Sequence, residues 1–205
     1  MKHLLLGSFL LLCLNANVYA TPIQFGANYF DFVNADGISW QDAENVAQNS
    51  IFDNVNGYLA TIISSSENSF LVSQFATFTD FSGAWLGGKV NLFGTGIWNT
   101  GPEIGQIFSQ GGTAVSGAYA NWGGSEPNGS FPSFAYMNIG ILNYGISTGQ
   151  WADAVAGVAS SGDPIRGYFV EYSPVVSVSE PEELAMMLLS IPMIGWVVSR
   201  KKLIQ

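Results

Sequence analysis

Two helix-start signatures lie close together early in this chain, Ser39 followed by Asp42 and Ser64 followed by Glu67. In each, a hydroxyl side chain stands three residues before an acid, the spacing that satisfies the free N–H groups of a first helical turn. The first predicts a helix from residue 39 to about residue 49, with Trp40, Ala43, Val46 and Ala47 sharing one face. The second predicts a helix to about residue 78, carried by Phe70, Leu71, Phe75 and Phe78. Residues 24–33 alternate aromatics and predict a strand, and residues 57–63 predict a short strand between the helices. Beyond the second helix the pattern turns to short strands at residues 84–90, 134–141, 149–152 and 167–172. Helices early and strands late define an α+β domain, two helices packed on small antiparallel sheets. Residues 94–130 are rich in Gly and Ser but punctuated by Trp98, Phe108, Tyr119 and Trp122, so they read as long ordered loops.

Both ends of the chain carry a different message. Lys2 and His3 precede an apolar stretch from residue 4 to 14, and Val18-Tyr19-Ala20 supplies small residues before a cut at Thr21. That is the layout of a secretory signal peptide, residues 1–20. Near the other end, Glu180-Pro181-Glu182 leads into an apolar run at residues 184–198 and then Arg200-Lys201-Lys202. Fifteen helical residues reach about 22 Å, short of a hydrocarbon core of about 30 Å, and the segment spans only if the bilayer thins or the basic ends snorkel. Residues 175–205 therefore read as a linker plus a sorting or anchor segment, leaving residues 21–174 as one domain with room for a real core.

Cys13 is the lone cysteine and lies in the signal, so the mature chain has no disulfide and must be held by burial. From residue 21 to 179, twelve acids face only Lys89 and Arg166, a net charge of −10. That surface repels nucleic acid and suits cations or neutral partners such as sugars, or simply keeps the protein soluble.

Several segments resemble the C-type lectin-like domain. Ser39-Trp40-Gln41-Asp42-Ala43-Glu44 is similar to the family's first helix, and Leu59-Ala60-Thr61-Ile62 with Glu67-Asn68-Ser69-Phe70 to its second strand and second helix. Trp85-Leu86-Gly87-Gly88 resembles the central Trp-Ile-Gly-Leu strand, and Trp98-Asn99-Thr100-Gly101 the Trp-Ser-Asp-Gly stretch after it. Tyr119-Ala120-Asn121-Trp122, Glu126-Pro127-Asn128, Trp151-Ala152-Asp153 and the closing Gly167-Tyr168-Phe169-Val170-Glu171-Tyr172 complete the order over residues 23–173. The acidic tail with its apolar and basic segments resembles the PEP-CTERM signal of Gram-negative bacteria. That likeness implies an exosortase acting on the tail, transient inner-membrane anchoring through residues 184–198, and a product secreted or held at the outer cell surface, in organisms that often make exopolysaccharide.

The lectin resemblance implies calcium as cofactor and a glycan or exopolysaccharide as partner. Glu126, Asn128 and Asp153 match positions that hold both metal and sugar, with a cis Pro127 aiming Glu126 and Asn128 to one side. Calcium takes six to eight oxygens. Ala152 stands where the family has Asn, and no acid occurs from residue 129 to 152, so three of five side-chain ligands remain. Ser133, Asn138, Asn143, backbone carbonyls or water are left to fill the gaps, at lower charge and lower affinity. Glu126-Pro127-Asn128-Gly129 is equally a good turn sequence, and Tyr119, Tyr136 and Tyr144 serve as core aromatics as readily as sugar-stacking faces.

Catalysis is not expected. His3 and Cys13 both leave with the signal, which removes histidine-based triads, cysteine nucleophiles and histidine zinc sites. A glycosidase needs two carboxyls about 5 to 9.5 Å apart, and Glu126 with Asp153 is the candidate pair, but nothing in the sequence raises either pKa. Two readings compete: a calcium-assisted, carbohydrate-binding protein, and a structural or protein-binding matrix component built on a lectin-like scaffold with a degenerate calcium site.

Overall fold

The computed structural model describes residues 21–76, 82–129, 132–140, 145–155 and 165–174. The chain divides into two compact units, Met1–Ser173 and Pro174–Gln205. Residues 1–20 and 175–205, where the expected signal and sorting or anchor segment fall, lie outside the described residues. Among the described residues no helix is long and apolar enough to cross a membrane.

Strands β1 (Ile23–Phe25) and β2 (Asn28–Asn34) lead into α1 (Trp40–Asn49). Short strands β3 (Ile51–Phe52), β4 (Val55–Asn56) and β5 (Tyr58–Leu59) precede α2 (Ser65–Phe75). The remainder is strand and loop: β6 (Gly83–Val90), β7 (Thr95–Trp98), β8 (Ile107–Gln110), β9 (Thr113–Ala114), β10 (Ser133–Asn138), β11 (Trp151–Val155) and β12 (Ile165–Tyr172). The domain is α+β, as its sequence pattern indicates. Both capping signatures are formed: Ser39 Oγ accepts from the Asp42 amide and Ser64 Oγ from the Glu67 amide, each at 3.1 Å.

The sheet runs in the order β1-β2-β12-β6-β7-β8-β9, with β5 on β12 and β10 bridging β6 to β11. All of its ladders are antiparallel except β6 with β12, and that parallel pair joins the two halves. Buried aromatics fill both faces. On one, Trp151 is ringed by Trp98, Phe108, Tyr119 and Trp122, with ring centroids 5.6–5.9 Å away. On the other, α1 presses Trp40 onto the sheet, where its indole N–H donates to the Leu86 carbonyl at 2.7 Å.

Four local expectations are corrected. Residues 24–33 form a hairpin, not one strand, because Gly26 takes a positive φ of 61° and reverses the chain into β2. Val46 is 47 % exposed; Glu44 takes its place on the buried face of α1, its carboxylate accepting from Gln41 and Gln48. The strand expected at residues 57–63 is paired only over Tyr58–Leu59. Residues 94–130 hold three strands, β7 to β9, where loops were expected, since Thr95 to Trp98 and Ile107 to Gln110 pair across the Asn99–Gln106 connection.

Candidate functional site

Backbone hydrogen bonds tie the segment after β9 to β11 before any side chain is considered. The Trp151 amide donates to the Asn121 carbonyl at 2.8 Å, and the Gly123 amide to the Trp151 carbonyl at 2.9 Å. The Glu126 amide closes a turn on the Gly123 carbonyl at 2.8 Å, and the Glu126–Pro127 peptide is cis. Gly112, at φ 80° in the β8–β9 turn, lies against the Glu126 carbonyl and Pro127, leaving no room for a Cβ.

Asp153 then fastens the next residues. Its Oδ1 accepts from the Asn128 amide at 2.8 Å and the Gly129 amide at 3.2 Å. Its Oδ2 accepts from the Gly129 amide at 3.2 Å and the Ser133 hydroxyl at 2.5 Å. Glu126 Oε1 accepts from the Asn128 side-chain amide at 2.8 Å, and Oε2 from the Asn128 backbone amide at 3.2 Å. The Asn128 backbone amide thus bridges the two carboxyls, donating to Glu126 Oε2 and to Asp153 Oδ1. Burial pushes the Glu126 carboxyl up to about 7, and the negative charge of Asp153 pushes the same way. Near neutral pH the Glu126 carboxyl therefore passes between its protonated and charged forms, 27 positions along the chain from the acid that acts on it.

Glu126, Asn128 and Asp153 thus stand together at one loop. Asp153 is buried, Glu126 half-buried and Asn128 exposed. The other candidates do not join them as oxygen donors. Ser133 spends its hydroxyl proton on Asp153. Asn138 is buried, donating to the Ile146 carbonyl and accepting from the Gly140 amide. Asn143 and Tyr144 lie outside the described residues. Tyr136 is core, edge-on to Trp85 with centroids 6.0 Å apart, and Tyr119 packs on Trp151. Ala152 points away: strand alternation sends it, with Ala154, into the core cluster around Trp40, Leu59 and Trp85, while Asp153 faces the loop.

The donor set is thin for calcium. Among the described residues no group of three or more His, Cys, Asp or Glu side chains stands ready for a metal. Glu126, the Asn128 amide oxygen and Asp153 would supply side-chain oxygens, after Glu126 loses its proton and Asp153 gives up amide partners. That is the donor set of a weak, pH-dependent site. Glycoside hydrolysis fits less well. Its two acids flank a sugar bond at a separation of at least about 5 Å, whereas these two both close on one backbone amide of their own loop, that of Asn128.

Three further acids gather where the sequence analysis saw only a cap and a strand. Glu171, 2 % exposed, accepts from the Thr61 amide at 3.1 Å and from the Asn28 side chain at 2.6 Å. The Thr61 hydroxyl donates to Glu103 at 2.6 Å, and Glu67 accepts from the Ile63 amide at 2.7 Å. Burial first, then the charge of Glu67, push the Glu171 carboxyl up to about 8. Burial likewise raises Glu67. No local signal marks this group, because its members come from α2, the β7–β8 connection and β12.

The fold is that of C-type lectin-like domains. CEL-I, a C-type lectin from Cucumaria echinata, superposes with a TM-score of 0.53 over 77 % of this chain and 98 % of its own, at 16 % identity. The carbohydrate-recognition domain of cow CD23, determined in the presence of a GlcNAc2Man3 oligosaccharide, does so with a TM-score of 0.50 over 75 % of this chain and 94 % of its own, at 21 % identity. By sequence the chain is 32 % identical over 149 residues to a stretch of halomucin from Haloquadratum walsbyi. That match takes in 72 % of this chain and about 1 % of halomucin's length. No protein-family model matches the chain.

Proposed function

We propose that this chain is an exported carbohydrate-binding module, not an enzyme, that holds glycan hydroxyls at the loop formed by Glu126, Asn128 and Asp153. The observation that carries the reading is the convergence of those three residues, from a loop and a distant strand, at one partly open position. The lectin-like fold and the oligosaccharide present with the cow CD23 domain support a glycan as partner. Sugar hydroxyls both donate and accept, and this loop offers both functions: a Glu126 carboxyl pushed up to about 7, and a side-chain amide at the surface. Calcium binding at the loop is a weak accessory, strengthened as Glu126 deprotonates. The signal-like pattern of residues 1–20 and the PEP-CTERM-like tail support export and exosortase processing, to a product secreted or displayed at the outer surface of a Gram-negative bacterium, with exopolysaccharide as the natural ligand class.

Calorimetry of the full chain in non-ionic detergent with mannose-rich glycans and with calcium tests this. Millimolar binding is expected, lost on Asn128→Ala, with calcium affinity rising between pH 6 and pH 8. No heat with either ligand at millimolar concentration, at either pH, retires the proposal. The engagement of Asp153 by its own loop favours a second reading, a scaffold that keeps the fold and binds protein; unchanged surface assembly after Asn128→Ala would point there.

A further inference from the structure

A cavity of about 650 Å³ opens beside α1 and shares no lining residue with the Glu126 loop. Its size falls within the range of small-molecule sites. Phe52, Tyr168 and Tyr172 line it with Val33 and Val170, while Asn45, Val46 and Asn49 of α1 contribute from the helix. The aliphatic and aromatic character follows from strand alternation. In the β2–β12 ladder Tyr29 pairs with Tyr172, Asp31 with Val170, and Val33 with Tyr168. These six side chains share one face of the sheet.

Asp31 is the exception on that face. It lines the cavity and is 5 % exposed. Among the described residues no lysine or arginine side chain reaches it, and Thr21, which also lines the cavity, carries no charge in the uncut chain. Between residues 21 and 174 the basic residues are Lys89 and Arg166. Lys89 lies over the Phe134 ring at 5.5 Å, and Arg166 pairs with Asp36 at 3.1 Å. A carboxyl placed among apolar side chains opposes its own ionisation, and burial pushes this one up to about 6. A guest that brings a positive charge removes that penalty. The surrounding aromatic rings favour the same guest, since their faces attract cations.

We propose that this cavity binds a small ligand carrying an ammonium group on a compact carbon framework. The ammonium meets Asp31, and the framework lies against Phe52, Tyr168 and Tyr172. The ammonium group is common to free organic amines and to amino sugars, and the assay separates those sources. This site and the Glu126 loop stand or fall separately, because they have no residue in common.

The test is calorimetric titration of the full chain in non-ionic detergent with choline and with glucosamine. Uncharged counterparts, 3,3-dimethylbutanol and N-acetylglucosamine, serve as controls. At least one cation is expected to bind about tenfold or more tighter than its uncharged counterpart. Choline alone identifies a free organic cation, and glucosamine alone an amino sugar. Asp31→Asn is expected to erase the preference for the cation while raising thermal stability, because it removes a buried acid. Val46→Trp, built on a half-exposed helix position at the cavity, is expected to block both cations without disturbing the core. Absence of binding by either cation at 10 mM, roughly the weak limit for such sites, overturns the proposal. So does equal affinity for charged and uncharged partners, or undiminished cation binding by Asp31→Asn.

Discussion

Consider Glu171→Gln, compared with the unaltered chain across pH 5 to pH 9. Glu171 is buried against Thr61, Asn28 and Ser173, and its carboxyl is pushed from 4.5 up to about 8, first by burial and then by Glu67. A raised carboxyl binds its proton more tightly folded than unfolded. Its contribution to stability is fully present below pH 4.5 and is lost as pH rises through about 8. At about 1.4 kcal/mol per pH unit, that interval is worth on the order of 5 kcal/mol before relaxation and water entry, and on the order of 2–4 kcal/mol after them. For a domain of this size 1 kcal/mol corresponds to roughly 2–4 °C in Tm. The unaltered chain is therefore expected to melt roughly 5–15 °C lower at pH 9 than at pH 5.

Thermal melts followed by near-ultraviolet circular dichroism check this, at low salt and again at high salt. General repulsion among surface acids also destabilises at high pH, but salt screens it. The burial term survives salt. Asp31 and Glu126 titrate near 6 and 7 in the fold and bend the curve in the same direction at lower pH. Glu171→Gln should flatten the portion above pH 7 while keeping an acceptor for the Thr61 amide; the Asn28 amide then turns to face the new donor. A Tm that is flat or rises from pH 5 to pH 9, or a variant that keeps the full slope above pH 7, refutes the reasoning.

Gly129→Ala places a Cβ 2.5 Å from Asp153 Oδ2, so the loop should shift off Asp153 and glycan binding should fall about tenfold or more with a modest loss of Tm. Ala152→Asn should not build a metal ligand. It buries an amide beside Trp40 and Trp85 and should lower unfolding free energy by about 2–4 kcal/mol in urea, with no gain in calcium affinity. Deleting residues 180–205 should change the mass and the surface retention of the mature product. Identical mass and location would remove the case for a sorting tail.

What the sequence made legible was local. Ser39 with Asp42 and Ser64 with Glu67 start helices through contacts made within one turn, so a one-dimensional pattern carries them. The β7–β9 strands were hidden for the complementary reason. Their pairing across Asn99–Gln106 and Gly111–Gly112 depends on glycines at positive φ, and the same glycines make the segment look like loop. At the candidate site, family-like spacing identified Glu126, Asn128 and Asp153, yet it was silent on where their hydrogen bonds go. Spacing does not say that Ser133 spends its hydroxyl on Asp153, or that Ala152 turns its back on the loop.

The same limit explains Asp31, Glu126 and Glu171 together. In one dimension Asp31 and Glu171 read as ordinary surface acids in an acidic chain, and Glu126 as an oxygen ligand on a loop. In three dimensions each is buried and meets residues remote from it: β12 and Phe52 beside Asp31, the Asp153 charge from β11 acting on Glu126, and the charges of the α2 and β7–β8 acids acting on Glu171. A domain with two basic residues cannot neutralise three such carboxyls internally. It must hold protons, accept cations, or accept hydroxyl-bearing guests at these places. Occupation of one position by a cation should therefore weaken the pH dependence at that position alone, since the three groups lie on separate elements and respond to separate ligands.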